Sequence, residues 1–263
     1  MVKAILFDLD DTLLWDKKSV DTAFRKTCEL AGEKYEVDPA ELENKVREQA
    51  RSLYASYDTY SFTQMIGINP FEGLWADFSD PGEDFHNLHE LAPVYRKQSW
   101  TRGLREAGVD DPKFGAELAE TFPVMRKENA FVYQDTFSVL NQLKDDYELL
   151  LLTNGAPSLQ ETKLNLTPAL KGYFDAIVIS GAFGRGKPDV SIFEHAVGQL
   201  KASMDELLMV GDNLQTDILG ASRAGIASVW INRDGKVAEN VQPTHEIRNL
   251  EELLPLLESL KKR

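Results

Sequence analysis

Five short apolar runs constrain this chain more than anything else in its sequence: Ala4–Phe7, Leu149–Leu152, Ala176–Ile179, Leu207–Val210 and Val229–Ile231. Each is nearly continuous rather than alternating. A strand with one wet face alternates apolar and polar residues, so continuous runs belong to strands covered on both faces, as in a parallel sheet flanked by helices. Helical patterns separate the last four runs at roughly 20–30-residue spacing, which suits βαβ crossovers. The expected fold class is α/β. Each run gives way to a polar residue, in order Asp8, Thr153, Ser180, Asp212 and Asn232. Ligands of open α/β sheets bind outside the carboxyl ends of the strands, so functional groups are expected to gather there.

The stretch from Leu14 to Tyr133 contains no comparable run. A crossover needs only about a dozen residues, so this much chain must fold on its own. Val20, Phe24, Cys28 and Ala31 share one helical face, with Gly32 as the expected stop. Further helices are expected over Pro39–Tyr57, Leu91–Ala107 and Pro112–Lys127, with Pro39 and Pro112 at first-turn positions. The predicted division is a core of residues 1–14 and 134–263 with a helical domain, 15–133, inserted in it. Within the insert, Ser52–Tyr95 holds seven acids, nine aromatics and no Lys or Arg. That stretch reads either as ordinary core with a solvated acidic loop around Asp77–Asp84, or as a specificity or subunit-contact surface whose exposed aromatics pair two chains.

Composition removes several classes. Cys28 is the only cysteine, which excludes a disulfide scaffold. No apolar run reaches the roughly 20 residues of a membrane span, and the start lacks a signal-peptide pattern, so a cytoplasmic location is expected. The net charge of −14 disfavours nucleic acid and anionic lipid as partners. The Lys261-Lys262-Arg263 run reads as a frayed helix end. A monomer or a homodimer is equally compatible with the sequence.

The acids at the strand ends carry the chemistry. Asp8 and Asp10, two apart after the first run, point the same way and repel unless a cation or shared proton compensates. Asp11 and Thr12 read as turn and helix-capping residues. Val210-Gly211-Asp212-Asn213 closes another strand, with Asp217 about one helical turn further on. Asp8, Asp10 and Asp212 together make a hard, oxygen-rich site suited to Mg²⁺. His86 and His89, at i and i+3, read as a surface pair rather than metal ligands. An anion cradle is visible too: Thr153-Asn154-Gly155 supplies a hydroxyl, an amide and a flexible backbone, and Gly184-Arg185-Gly186-Lys187-Pro188 aims one lysine inward.

In order, Asp8-x-Asp10-x-Thr12, Thr153-Asn154, Lys187-Pro188 and Gly211-Asp212-x4-Asp217 resemble the four motifs of the haloacid dehalogenase-like hydrolase superfamily. The resemblance spans the chain. It implies a doubly wound parallel sheet, a Rossmann-like core, with a cap domain inserted after the first motif. By position it makes Asp8 the nucleophile that becomes an aspartyl-phosphate and a metal ligand. Asp10 becomes the acid and then the base, contributing its backbone carbonyl to the metal. Thr153, Asn154 and Lys187 become the phosphoryl-oxygen ligands, Asp212 a metal ligand, and Asp217 a support of that site. The implied cofactor is Mg²⁺, and the implied substrate a small phosphorylated metabolite. The aspartate at position 10 separates phosphate-ester enzymes from the dehalogenases and phosphonate-cleaving relatives, whose leaving groups need no such proton donor. A phosphosugar mutase shares all four motifs and would need basic residues for a second phosphate, for which Arg96, Lys97, Arg102 and Arg105 are the compact group. A signalling receiver also pairs an acidic pocket with a threonine and a lysine, but in about half this length. The acidic insert suits a substrate bearing an ammonium group, such as phosphoserine.

Overall fold

The computed structural model describes residues 1–261; Lys262 and Arg263, the end of the basic run, lie outside the described residues. The chain forms two compact units. One comprises Met1–Trp15, Val132–Gly155 and the chain from Lys163 onward; the other comprises Asp16–Phe131 together with Ala156–Thr162.

The first unit is built on a six-stranded, all-parallel sheet of β1 (Ala4–Phe7), β2 (Glu148–Thr153), β3 (Ala176–Ile179), β4 (Leu207–Gly211), β5 (Ala227–Ile231) and β6 (His245–Ile247), in the order β3-β2-β1-β4-β5-β6. The five apolar runs are five of these strands, and the reason for their continuity is explicit. Ile5, Phe7, Leu149, Leu151, Leu208 and Val210 face one core with the helices Thr136–Leu143 and Leu253–Lys261. The intervening Ala4, Leu6, Leu150, Leu152, Leu207 and Met209 face a second core with Ile192 and Phe193 of helix Val190–Val197. Each such leucine removed from water is worth about 1.5–3 kcal/mol, and β1 and β4, the two strands at the centre of the sheet, carry no polar residue on either face. The chain winds from β1 out to β3 and returns as β4 on the other side of β1. The strand order therefore reverses between β1 and β4, where Phe7 lies opposite Val210, and this switch point is where such sheets open a crevice.

The second unit packs the long helices Asp16–Tyr35, Pro39–Ser56, Glu83–Glu106 and Pro112–Glu128 around Phe24, Trp100 and Phe122. Asp38 and Asp111 cap the second and fourth of these by accepting the Ala40 and Phe114 N–H groups at 2.8 and 3.0 Å, and the prolines after them take first-turn positions. Two helix ends differ from the sequence expectation. The first helix runs through Gly32 to Tyr35, because Gly32 serves close packing: a Cβ there would lie 3.1 Å from the Val37 carbonyl oxygen and 3.2 Å from Pro39. The third begins at Glu83 rather than Leu91, directly after the Pro81-Gly82 turn, and continues past Pro93. All nine aromatics of Ser52–Tyr95 are buried or half-buried and pack in or against this unit's core. His86 and His89 are exposed, and His89 Nδ1 contacts the Asp77 carbonyl. No helix of the described residues is long and apolar enough to cross a membrane.

Candidate active site

Asp8 follows β1 directly, and its N–H donates to the Val210 carbonyl at 3.0 Å, which extends the β1–β4 pairing one residue beyond the strand. Its carboxylate is thereby fixed at the switch point, with only 8% of the residue exposed. Lys187 meets it there. The ammonium has three donors, and it places them on Asp8 Oδ1, Asp217 Oδ1 and the Leu152 carbonyl, each at 2.7 Å. The lysine arrives by way of Asn154, whose side-chain oxygen accepts the Lys187 N–H at 2.8 Å and whose amide donates to the Lys187 carbonyl at 2.9 Å. Asn154 thus clamps the loop that carries Lys187, a task additional to the phosphoryl contact inferred for it. Thr153, 1% exposed, ends β2 beside them and donates to the Asn154 carbonyl at 3.3 Å.

On the β4 side, the backbone of Asp212 is held from two directions. Its N–H donates to Thr12 Oγ1 at 3.0 Å and its carbonyl accepts the Trp230 indole N–H at 2.8 Å. Thr12, fully buried, therefore ties the β1 loop to the β4 loop instead of capping a helix; the next helix starts only at Asp16. Asp217 lies in the wide turn Leu214–Ile218, in which the Ile218 N–H reaches back five residues to the Asn213 carbonyl; such turns recur at functional sites. Its second oxygen accepts the Asn213 N–H at 3.1 Å. The role of Gly211 is now specific: a Cβ at this position would lie 2.2 Å from Asp217 Oδ2, so the glycine is the space the carboxylate occupies.

Carboxylate oxygens of Asp8, Asp212 and Asp217 lie within 4.8 Å of one another. Burial raises the Asp8 carboxyl above its usual range, and Asp217 adds to this against the opposing pull of Lys187. Burial also raises Asp212, followed by repulsion from Asp8, Asp217 and Asp11. For Lys187, burial alone would lower the ammonium, but Asp217 and Asp8 outweigh it and hold the lysine above its ordinary value. Three acids around one lysine leave the cluster short of positive charge, and its hard oxygen donors match Mg²⁺. Both oxygens of Asp217 are engaged, by Lys187 and by the Asn213 N–H, so Asp8 and Asp212 are the carboxylates of this cluster that could hold a cation. The Asp10 side chain stands outside this cluster and pairs with Lys163 at 2.7 Å.

The model for a haloacid dehalogenase-like hydrolase matches residues 2–225. The chain belongs to the haloacid dehalogenase-like hydrolase family. Among its curated relatives, a phosphoserine phosphatase of Thermus thermophilus is 34% identical over 247 residues, covering 94% of this chain and 95% of that protein. The pyrimidine 5'-nucleotidase YjjG of Escherichia coli is 38% identical over 186 residues, covering 70% of this chain and 77% of its own. Of solved structures, the magnesium-bound HAD-hydrolase YfnB of Bacillus subtilis superposes with a TM-score of 0.65 at 25% identity, covering 97% of this chain and 98% of that one. The doubly wound core inferred from the family motifs is the fold observed.

Two of the five polar strand ends serve the hydrolase scaffold. Ser180 Oγ accepts the Gly155 N–H at 2.8 Å, and Asn232 donates to the Lys236 carbonyl and to Glu246 at 2.8 and 2.6 Å. Sequence reasoning passed over three residues near the site. Lys163 holds Asp10, while Arg233 pairs with both oxygens of Asp135 at 3.1 and 3.2 Å and lies 3.7 Å over the Tyr133 ring. Asp135 also accepts the Leu250 N–H at 2.7 Å. Lys163 and Asp135 lie away from the ends of the five apolar runs, and Arg233 lies two residues past Ile231, just beyond the Asn232 that the pattern marks.

Proposed function

We propose that this hydrolase is a Mg²⁺-dependent phosphatase that cleaves a small phosphomonoester through an aspartyl-phosphate on Asp8. The observation that carries the reading is the arrangement at the switch point: Lys187 on Asp8 and Asp217, with Asp212 alongside. Phosphoryl transfer needs mainly positioning and charge compensation, and this arrangement offers both. Lys187 holds Asp8 Oδ1, which orients the carboxylate so that its other oxygen attacks phosphorus. As that O–P bond forms, the ester P–O bond breaks and Asp10 gives its proton to the leaving oxygen. Asp10 then takes a proton from water, the water oxygen attacks phosphorus, and inorganic phosphate leaves with Asp8 regenerated. Thr153, Asn154 and Lys187 bind the phosphoryl oxygens, Lys187 by redirecting one of the donors now held by Asp8, Asp217 and the Leu152 carbonyl. Asp8, Asp212 and the Asp10 backbone carbonyl hold Mg²⁺, and Asp217 supports them through Lys187. The bound ion supplies the charge that lets an anionic carboxylate approach an anionic phosphate.

The helical insert, residues 15–133, is assigned substrate selection. The mutase alternative loses support from its own candidate residues. Arg96 donates to the Ala76 carbonyl, Arg102 to Gln98 and Arg105 to Asp110, so three of the four cations, all but Lys97, already have protein partners. Phosphoserine is the first substrate to try, given the Thermus thermophilus relative. The test is a panel of phosphomonoesters assayed with and without Mg²⁺, together with Asp8→Asn. Metal-dependent phosphate release over many turnovers, lost in a folded Asp8→Asn, is expected. Normal turnover by that variant ends the covalent reading, and a single phosphorylation without phosphate release favours a receiver. Phosphoserine turned over no faster than sugar phosphates removes that substrate alone.

A further inference from the structure

The four motifs account for Lys187 on Asp8 but leave a second buried lysine unexplained. Lys163 lies in helix Pro157–Leu166, is 4% exposed, and places Nζ 2.7 Å from Asp10 Oδ2. A buried ammonium costs several kcal/mol in lost hydration unless it is closely paired, and a packed apolar side chain is usually at least as stabilising. Stability alone is thus a poor reason for a lysine at this position. The pair is also asymmetric: the Lys163 side chain is 3% exposed and that of Asp10 25%, although Asp10 Oδ1 is itself buried. The helix fixes the lysine in turn, its backbone carbonyl accepting the Thr167 hydroxyl at 3.0 Å.

We propose that Lys163 is a positioning residue that locks the Asp10 carboxylate in the orientation proton transfer requires. Each of the two aspartates then has its own buried lysine: Lys187 aims Asp8 at phosphorus, and Lys163 aims Asp10 at the leaving oxygen. Side-chain positioning matters here because Asp10 lies on a loop beyond β1, and a general acid works only within hydrogen-bond reach of its target. The inference rests on the phosphatase reading.

A leaving-group comparison separates positioning of Asp10 from general damage. An alkyl phosphate needs its leaving oxygen protonated, whereas p-nitrophenolate leaves without help. With kcat/KM reporting the steps through phosphorylation of Asp8, Lys163→Met is expected to lower the alkyl phosphate value on the order of 10²-fold and the p-nitrophenyl phosphate value less than about 3-fold. Lys163→Gln is expected to show the same divergence, and Lys163→Arg, which keeps a cation and donors, to restore most of the alkyl activity. Equal losses on both substrates, no loss on either, or failure of both Lys163→Met and Lys163→Gln to fold by circular dichroism overturns the assignment. Wild-type protein inactive on every phosphomonoester refutes the phosphatase reading instead, so the two failures are distinguishable.

Discussion

Gly211→Ala tests whether the charged cluster is held together as described. The added Cβ would lie 2.2 Å from Asp217 Oδ2 and 2.4 Å from its Cγ, about 1 Å inside any tolerable contact. Asp217 is 1% exposed and has no solvent to retreat into, so relief of the clash must move its carboxylate away from Lys187 and from the Asn213 N–H. A hydrogen bond to a charged group is worth about 1.5–3 kcal/mol, and depriving a buried ion of a partner costs about 3–5 kcal/mol. The expected loss is about 3 kcal/mol or more, a large share of the 5–15 kcal/mol typical of a folded domain. Urea unfolding should show a lowered midpoint with an unchanged slope. The control is Gly211→Ala in an Asp217→Gly background, which removes the carboxylate and also the Asp217 Cβ that would lie 2.6 Å from the new methyl. There the substitution should cost less than about 1 kcal/mol, giving a coupling energy of about 2 kcal/mol. A single variant that loses under about 1 kcal/mol, or effects that simply add, would refute the reasoning.

Two further outcomes follow from the same geometry. If Asp8 and Asp212 hold a divalent cation, Mg²⁺ at about 100 times its dissociation constant should stabilise the wild type by about 2.7 kcal/mol in thermal unfolding, and Asp212→Asn should abolish most of that shift; an equal shift in the variant contradicts the assignment. Far from the site, the Glu206 carboxyl is held down to about 2 from an ordinary 4.5 by Lys3 and by the Ser203 N–H and hydroxyl. Its contribution to stability is complete above pH 4.5 and disappears as pH falls toward 2, so the Tm gap between wild type and Glu206→Gln should narrow from about pH 6 to about pH 3. A widening gap has the wrong sign for this linkage.

The strands that position the site were legible because both of their faces are buried. Leu149–Leu152 reads as a strand since Leu149 and Leu151 meet one core and Leu150 and Leu152 the other. β6 was illegible for the converse reason: His245-Glu246-Ile247 is a three-residue edge strand with one fully buried side chain, and a pattern so short has no periodicity to read. Asp8, Thr153 and Asp212 were legible by position, since a strand end in a parallel sheet has a known address. Lys163 had none. It follows Glu161 and Thr162 in a polar helix and reads as a solvated surface residue until the fold brings it 2.7 Å from Asp10, 153 residues away in sequence. Gly211 shows a different limit. Its place at the close of a strand is plain in the sequence, but what requires a glycine there is a side chain six positions on, in a turn whose unusual width no local pattern announces.

The central claim is that Asp8 takes the phosphoryl group. Asp10→Asn removes the base that would release it, so this variant, incubated with p-nitrophenyl phosphate and Mg²⁺ and quenched in acid, should carry one phosphoryl group per chain by intact mass. Tandem mass spectrometry should place it on Asp8 and show none in the Asp8→Asn/Asp10→Asn double variant. A phosphoryl group on any other residue, or one that persists without Asp8, contradicts the account.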